Sequence, residues 1–221
     1  MRRSMLLLAA PYGGKGYSCK LLTKQHENAV EVIGTGKMIR TEMDIDPQFK
    51  EKTKKLVAAR QYVDDQTIMR LTVRRLTEIN SSATVVLDGY RTVPQLMELE
   101  TIGLLGKKTS SIVILNVNED ILWKRAVHRR DNQPDGKRVD DMALEQNFAD
   151  GQKKYSISLP PMVKYLRSAG FSVVPIEANG DLKNDVFPQI NGIFEHVHSL
   201  DSAPVVKYHS VLPIHSVRAY A

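Results

Sequence analysis

The sequence contains a single cysteine, Cys19, among 221 residues. An intramolecular disulfide framework is therefore excluded, and a reducing compartment is expected. We take the cytoplasm as the default and leave an organelle or a large intracellular assembly open. No apolar run approaches the roughly 20 residues that cross a bilayer, because the longest run, residues 5–10, ends at Pro11. That run lacks a small-residue cleavage site, so it predicts a strand and not a signal peptide, and no membrane partner is expected.

Aromatic residues are also scarce, at 6% of the chain. A net charge of +6 would suit a phosphate-rich ligand, and nucleic acid is the first such ligand to consider. The basic clusters are accompanied by no RNP pattern, zinc-ligand spacing or row of aromatics that could stack single-stranded bases, so nucleic acid is not expected as a partner. The hydrophobic share of 42% and the charged share of 25% are those of an ordinary globular domain.

Short aliphatic and β-branched runs alternate with helical patterns along most of the chain. The predicted strands are residues 5–10, 84–88, 111–117 and 171–176, with a weaker run at 29–33. The predicted helices are residues 15–26, 47–59, 64–79, 93–104, 119–130, 140–155, 160–169 and 183–197. Strands without clear alternation that are separated by helices indicate a parallel sheet buried on both faces, and hence an α/β doubly wound fold.

A glycine-rich stretch, residues 9–16, follows the first predicted strand and precedes a helix. This is the position of a phosphate-binding loop, in which successive backbone N–H groups and the helix N-terminus face an anion. Gly13, Gly14 and Gly16 supply the turn, and Lys15 is the lysine that would reach the terminal phosphates. An ordinary glycine-rich turn gives the same pattern, so the rest of the chain must decide between the two.

Further motifs follow in a definite order. They are Thr35-Gly36 with Arg40; Asp88-Gly89 with Arg91 and Gln95; Arg125 with Arg129; and Arg138 with Asp140 and Asp141. Taken singly, each has a plain structural explanation as a turn, a helix start or a solvated basic face. In this order and spacing the set resembles the adenylate kinase family of nucleoside monophosphate kinases, over roughly residues 5–198. The short stretch after Arg130 resembles family members with a short lid.

The resemblance implies a P-loop nucleoside monophosphate kinase fold over residues 1–199, with a five-stranded parallel sheet flanked by helices. It also implies a small helical insert at about 34–64 that binds the monophosphate, and a short lid at about 130–140. The implied reaction is the reversible, Mg-dependent transfer of a phosphoryl group from ATP to AMP, giving two ADP. ATP and AMP would be the partners, Mg²⁺ the cofactor that accompanies ATP, and a monomer the default state.

The resemblance also implies a role for each motif residue, in a reaction where arginines, a lysine and magnesium neutralise crowded phosphate oxygens. The implied catalytic residues are Lys15, Arg91, Arg129 and Arg138. The implied ATP phosphate-binding residues are Gly13, Gly14, Lys15, Gly16 and Arg125. The implied AMP-binding residues are Thr35, Arg40, Val63, Arg91 and Gln95. Asp88 would join the water network around magnesium without a direct metal ligand from the protein, and Asp140 and Asp141 would brace the lid.

Four departures from the family pattern favour a second hypothesis, a weakly active or inactive structural subunit of a larger assembly. Tyr12 stands at a loop position that is glycine in the family, and Tyr17 replaces a threonine. Arg91 follows Tyr90 without the usual intervening proline, and the second lid arginine falls on Ala149 or Gly151.

The chain after residue 199 has two prolines and no helical period, and it predicts an extended tail at residues 200–221. Such a tail is either an ordinary frayed terminus or a segment that docks on a protein partner. The docking tail belongs to the structural-subunit hypothesis. A third hypothesis keeps the enzyme class but takes UMP or CMP as acceptor, although Gln95 favours AMP.

Overall fold

The computed structural model describes residues 1–58, 61–80, 82–132 and 143–200. The expected lid residues Arg138, Asp140 and Asp141 lie outside the described residues, as does the expected tail beyond Leu200. The described part forms one five-stranded parallel sheet in the order β2-β3-β1-β4-β5. Its strands are β1 (Ser4–Ala9), β2 (Val30–Gly34), β3 (Thr84–Asp88), β4 (Ser110–Asn116) and β5 (Ser172–Glu177). The predicted fold class is confirmed, and all five predicted strands form close to their expected bounds.

Helices cover both faces of the sheet. They are α1 (Lys15–His26), α2 (Thr35–Ile45), α3 (Pro47–Ala58), α4 (Asp65–Glu78), α5 (Val93–Thr101), α6 (Glu119–Asp131), α7 (Leu144–Ser168) and α8 (Phe187–Ser199). A short π-helical turn, Leu182–Val186, leads into α8. None of the helices in the described ranges combines the length and apolarity that a membrane span requires.

The sequence analysis did not predict α2. The helix buries Met38, but it also buries Glu42, whose carboxylate is paired with Arg70 and Arg74 of α4. A buried charge interrupts the apolar period by which an amphipathic helix is recognised, and the Thr-Gly start is also typical of a loop. The ion pairs that justify this burial become visible only when α4 is in place.

The predicted helices 140–155 and 160–169 are wrong as two separate elements. In the described residues they form one helix, α7, which continues through Pro160 and Pro161. A proline removes a backbone donor and is expected to break a helix. Here Met162 and Leu166 are buried in the core on the far side of the prolines, and this packing holds the helix together.

β1 lies at the centre of the sheet and is buried on both faces. Leu6 and Leu8 pack into the core on one face, whereas Met5 and Leu7 pack into the core on the other. Because the strands are parallel, their carboxyl ends meet at one edge, and Leu7 lies opposite Asp88 of β3. The loops after β1 and β3 are therefore neighbours at the edge where open α/β sheets bind ligands.

Candidate active site

The loop between β1 and α1 is tightly wound around its glycines. Gly14 has φ of 96°, in the left-handed region, and a Cβ there would lie 2.5 Å from Leu182 Cδ2. A Cβ at Gly13 would lie 2.8 Å from the Ala9 side chain, and the Gly13 N–H donates to the carbonyl of Ala10 over 3.0 Å. Only glycine fits both positions, because any side chain would collide with its surroundings.

The first turn of α1 is more open. A Cβ at Gly16 would meet no other atom within 4 Å, and Tyr17 is 43% exposed. The hydroxyl of Ser18, the nearest in sequence, donates to the carbonyl of Gly14 over 3.2 Å. No compact hydroxyl from these three residues is therefore available at the loop without breaking a bond already made.

Lys15 folds back on the loop that precedes it. Its Nζ donates to the carbonyl of Ala9 over 2.7 Å and to that of Ala10 over 3.3 Å. Burial of the ammonium lowers the pKa of Lys15, the neighbouring Asp88 carboxylate opposes this shift, and Arg91 adds to it. The lysine thus lies in a partly dehydrated position, within electrostatic reach of one carboxylate and of a second cation.

The end of β3 presents a carboxylate and a glycine with a left-handed backbone to the same edge. Asp88 Oδ1 is buried and accepts no hydrogen bond from the described residues. Gly89, which follows, has φ of 92°, and its carbonyl accepts a bond from Thr35 Oγ1 over 3.2 Å. The structure therefore brings the Thr-Gly motif at the start of α2 to the Asp-Gly motif at the end of β3.

The buried oxygen of Asp88 bears on metal binding. No group of three metal-ligating side chains occurs within the described ranges. Hydrated Mg²⁺ keeps several waters and is usually held by one or two carboxylates together with substrate phosphates. Asp88, with an unpartnered oxygen beside a phosphate-type loop, fits that kind of site.

Gln95 belongs to a hydrogen-bond network that the sequence did not reveal. Its Oε1 accepts from the backbone N–H of Arg91 over 2.7 Å, and its Nε2 donates to Asp65 Oδ1 over 2.8 Å. The other oxygen of Asp65 accepts from Thr92 Oγ1 over 2.9 Å. Val63, two residues before Asp65, packs against the core. The amide of Gln95 is therefore fixed in orientation, with both of its ends engaged.

Arg91 lies over an aromatic ring that was not singled out in the sequence. Its Cζ is 4.7 Å from the ring centroid of Tyr62, and the Nζ of Lys154 is 4.4 Å from the same centroid. Tyr62 and Arg91 line a pocket together with Lys15 and Gly89. Tyr62 and Lys154 come from segments far apart in the chain, so no local pattern could have indicated their meeting.

Two of the other predicted residues, Arg40 and Arg125, lie on helices α2 and α6. The guanidinium of Arg40 lies close to Gly36, where a Cβ would be 3.3 Å from Arg40 Nη1. Arg125, on α6, donates from Nη2 to the carbonyls of Ala178 over 2.7 Å and Gly180 over 3.0 Å. Its Nη1 is buried without a partner among the described residues, and this burial lowers the pKa of Arg125.

The family model for adenylate kinase matches residues 7–210 of this chain. The chain belongs to the adenylate kinase family. The resemblance predicted from the order of its motifs is confirmed.

Named relatives of this chain within the adenylate kinase family are distant in sequence. It is 25% identical over 185 residues to the adenylate kinase of Prochlorococcus marinus subsp. pastoris. The aligned region covers 83% of this chain and 93% of that relative. It is 26% identical over 203 residues to a protein of Oryza sativa subsp. japonica named probable adenylate kinase 2, chloroplastic. The aligned region covers 85% of this chain and 68% of that relative. It is 29% identical over 134 residues to the adenylate kinase of Francisella tularensis subsp. novicida. The aligned region covers 60% of this chain and 59% of that relative.

Tyr12 marks where this member of the adenylate kinase family departs from the expected glycine. Its backbone has φ of 66°. Glycine adopts this conformation freely, whereas another residue does so at a cost of about 1–2 kcal/mol. The Tyr12 ring centroid is 5.8 Å from that of Phe148, and the Cζ of Arg129 lies 4.4 Å from the Tyr12 centroid. Tyr12 therefore connects the phosphate loop to α6 and α7, and it engages Arg129, one of the arginines expected to approach the ATP phosphates.

Proposed function

We propose that this chain catalyses the reversible, Mg-dependent transfer of the terminal phosphoryl group of ATP to AMP, giving two ADP. The observation that carries this proposal is the meeting of Lys15, Asp88 and Arg91 at one edge of the sheet, next to a loop in which Gly13 and Gly14 leave no room for a side chain. Membership of the adenylate kinase family supports the phosphotransferase class.

The ATP phosphates would be held by the backbone N–H groups of Gly14 and Gly16 and by Lys15, with Gly13, whose N–H donates to Ala10, shaping the turn. The Lys15 ammonium is held by two carbonyls, and it would exchange these neutral partners for phosphate oxygens, which bind a cation more strongly. Arg125 has a buried donor without a partner among the described residues, and a phosphate oxygen would satisfy it. Arg129 would approach the same phosphates after leaving the ring of Tyr12.

Asp88 would hold Mg²⁺ through its water ligands by way of the buried Oδ1, which accepts no bond from the described residues. The chemistry that Mg²⁺ would supply there, bound with ATP, is positive charge that offsets the negative charge developing on the phosphates. The carboxylate also favours the charged form of Lys15. Asp88 would thus keep the lysine protonated at the phosphates.

The AMP site would lie between β3 and the segment at about 34–64, which contains α2 and α3. Thr35 and Arg40 would hold the phosphate together with Arg91, and Val63 and Gln95 would contact the base. Because the amide of Gln95 is held by Asp65 and Arg91, it would meet the base in one fixed orientation. Arg138, Asp140 and Asp141 lie outside the described residues, and their roles in a lid at about 130–140 stay predictions.

The transfer itself needs no general base. An oxygen of the AMP phosphate, already ionised at neutral pH, attacks the terminal phosphorus of ATP, a new P–O bond forms, and the bond to the ADP leaving oxygen breaks. The contribution of Lys15, Arg91 and Arg129 is to align the two nucleotides and to neutralise their charge.

The test is AMP-dependent formation of ADP from MgATP by the purified chain. We expect ADP to form with AMP, to form more slowly with UMP or CMP, and to cease when the magnesium is chelated by excess EDTA. ADP formation no faster with any acceptor than in its absence would contradict the proposal. Faster turnover with UMP or CMP would assign the chain to the alternative acceptor class.

A weakly active structural subunit is a second candidate, and one observation favours it. Arg129 lies over Tyr12, a residue that adopts a strained backbone where the family has glycine. Turnover at blank level with every acceptor would support this candidate. This candidate also requires a docking tail, and the chain beyond Leu200 lies outside the described residues. The cytoplasmic location and the monomeric state stay predictions.

Tyr12→Gly tests how strongly this contact limits the reaction. A cation–π contact at a partly exposed ring contributes about 0.5–1 kcal/mol, so releasing Arg129 is expected to raise kcat by about twofold to fivefold. Tyr12→Phe keeps the ring and should behave as the parent. Initial rates with saturating MgATP and AMP measure both variants, and an equal or lower kcat in Tyr12→Gly would show that the Tyr12 ring supports Arg129.

A further inference from the structure

A second cavity lies at the edge of the sheet opposite the candidate active site. It opens between α8 and the amino ends of β4 and β5, and its volume is about 310 Å³. Because the strands are parallel, these amino ends lie at the far edge from the loops after β1 and β3. Small-molecule sites have volumes of about 300–1,000 Å³. The cavity is therefore large enough for a small ligand, and it is separate from the pocket that contains Lys15.

The sheet side of this cavity carries a buried hydroxyl group. Ser111 and Ser172 both line the cavity, and they lie opposite one another in the register of β4 and β5. Ser111 is only 7% exposed, and its Oγ has no hydrogen-bond partner among the described residues. A buried hydroxyl is costly to leave unpaired. The Ser111 Oγ can both donate to and accept from a molecule that enters the cavity.

Two lysines line the same cavity from a well-defined turn. Lys107 and Lys108 occupy the middle of this turn, which is closed by the Thr109 N–H donating to the carbonyl of Gly106 over 3.0 Å. The Gly106 N–H donates to Ser110 Oγ over 2.9 Å, which fixes the turn to the start of β4. Neither lysine forms an ion pair with any of the described residues. Two uncompensated cations therefore lie at the cavity, and they attract an anion.

Helix α8 supplies the opposite wall of the cavity. Gly192 and His196 lie one turn apart on this helix, and both line the cavity. A Cβ at Gly192 would meet no other atom within 4 Å, so the absence of a side chain leaves the space open there. Val174 and Ile193 add apolar surface, and none of the described lining residues is a carboxylate. The cavity thus combines cationic and hydroxyl groups with an apolar wall.

We infer that this cavity binds a small phosphate monoester, a molecule with one phosphate group and a compact apolar body. Lys107, Lys108 and the Ser111 hydroxyl would hold the phosphate, whose three terminal oxygens accept charge-assisted bonds from several donors at once. The apolar body would lie against Val174 and Ile193. The site does not depend on the proposed function, since none of its residues lines the pocket that contains Lys15.

The test is a titration of the isotope-labelled full chain with phenyl phosphate at constant ionic strength, followed through its backbone amide signals by NMR. The signals of Ser111, Ser172 and Gly192 report binding in the cavity, whereas those of Gly14 and Gly16 report binding at the phosphate loop. Benzoate carries the same ring with a carboxylate in place of the phosphate and is the matched ligand control. We expect phenyl phosphate to shift the cavity signals saturably and benzoate to bind at least fivefold more weakly.

Three variants locate the phosphate: Ser111→Ala, Lys108→Met and Gly192→Leu. We expect the first two to raise the dissociation constant at the cavity at least fivefold, and Gly192→Leu, whose side chain would enter the open space, to abolish the saturable shifts. Lys164→Met is the control, since Lys164 is exposed on α7, which packs on the other face of the sheet. It should bind within twofold of the parent. The midpoint of thermal unfolding reports whether each variant is folded.

A parent chain whose cavity signals do not shift saturably would overturn the inference, as would equal dissociation constants for Lys108→Met and Lys164→Met. Benzoate that binds as tightly as phenyl phosphate would overturn the assignment of a phosphate group. Saturable, Lys108-dependent shifts in a chain that forms no ADP from MgATP and AMP would overturn the proposed function and support the inference.

Discussion

Replacing Lys15 with methionine is expected to lower the rate of ADP formation roughly 100- to 1,000-fold, the usual effect of removing one preorganised charge donor from a transition state. Lys15 is within electrostatic reach of Asp88 and Arg91, and its ammonium would stay close to the phosphoryl group as that group moves from ATP to AMP. Methionine keeps the length and apolar stem of the side chain but removes the charge. The measurement is kcat with saturating MgATP and AMP.

The folded state should tolerate this change. Burial lowers the pKa of Lys15, which means that the fold disfavours the ammonium, while the two carbonyl partners of Nζ are lost on substitution. These effects oppose one another, and we expect the free energy of unfolding to change by no more than about 1 kcal/mol. Lys20→Met, on the exposed side of α1, is the control. Equal kcat values for the two variants would contradict the role of Lys15.

Gly89→Ala is expected to lower the free energy of unfolding by about 2–5 kcal/mol. The left-handed backbone of Gly89, with φ of 92°, costs a residue with a Cβ about 1–2 kcal/mol. The new Cβ would also press into Thr35 Oγ1, with the rest of that side chain close behind, and overpacking of this kind adds about 1–3 kcal/mol. Urea denaturation followed by circular dichroism measures the change.

The matched control for this substitution is Gly192→Ala on α8. A Cβ at Gly192 would meet no other atom within 4 Å, and alanine is better than glycine inside a helix by about 1 kcal/mol. The same chemical change should therefore stabilise the protein at one glycine and destabilise it at the other. If both substitutions changed the free energy of unfolding by the same amount and in the same direction, the close approach to Thr35 would not be the reason that glycine is required at position 89.

Much of the fold could be predicted because its signals are local. Each strand is a short apolar run, and the sheet buries both faces of β1, so no knowledge of distant residues was needed to find them. The exceptions involve distant partners. Glu42 is acceptable inside α2 because Arg70 and Arg74 of α4 pair with it, and the two prolines of α7 are tolerated because the residues beyond them are buried.

The residues of the candidate site also fall into those with a local sequence signal and those whose position depends on distant partners. Lys15, Asp88 and Gly89 belong to contiguous motifs at strand ends, where the backbone alone determines their position. Asp65 and Tyr62 do not, since Asp65 bonds Gln95 across thirty positions of the chain and Tyr62 meets Lys154 from a still more distant segment. Their importance follows from tertiary packing, for which a single sequence carries no periodic or motif signal.

The prolines of α7 have a mechanical consequence. Pro160 and Pro161 cannot donate to the carbonyls of Ser156 and Ile157, so the helix lacks two consecutive backbone bonds at one level. Ile157 is 66% exposed, and water can therefore hydrate this stretch of backbone. Resistance to bending is lowest there, which makes the level of the prolines a hinge. The half that carries Gly151 packs Leu144 and Phe148 into the core, and the other half packs Met162 and Leu166, so the least rigid level of α7 lies between two anchored segments.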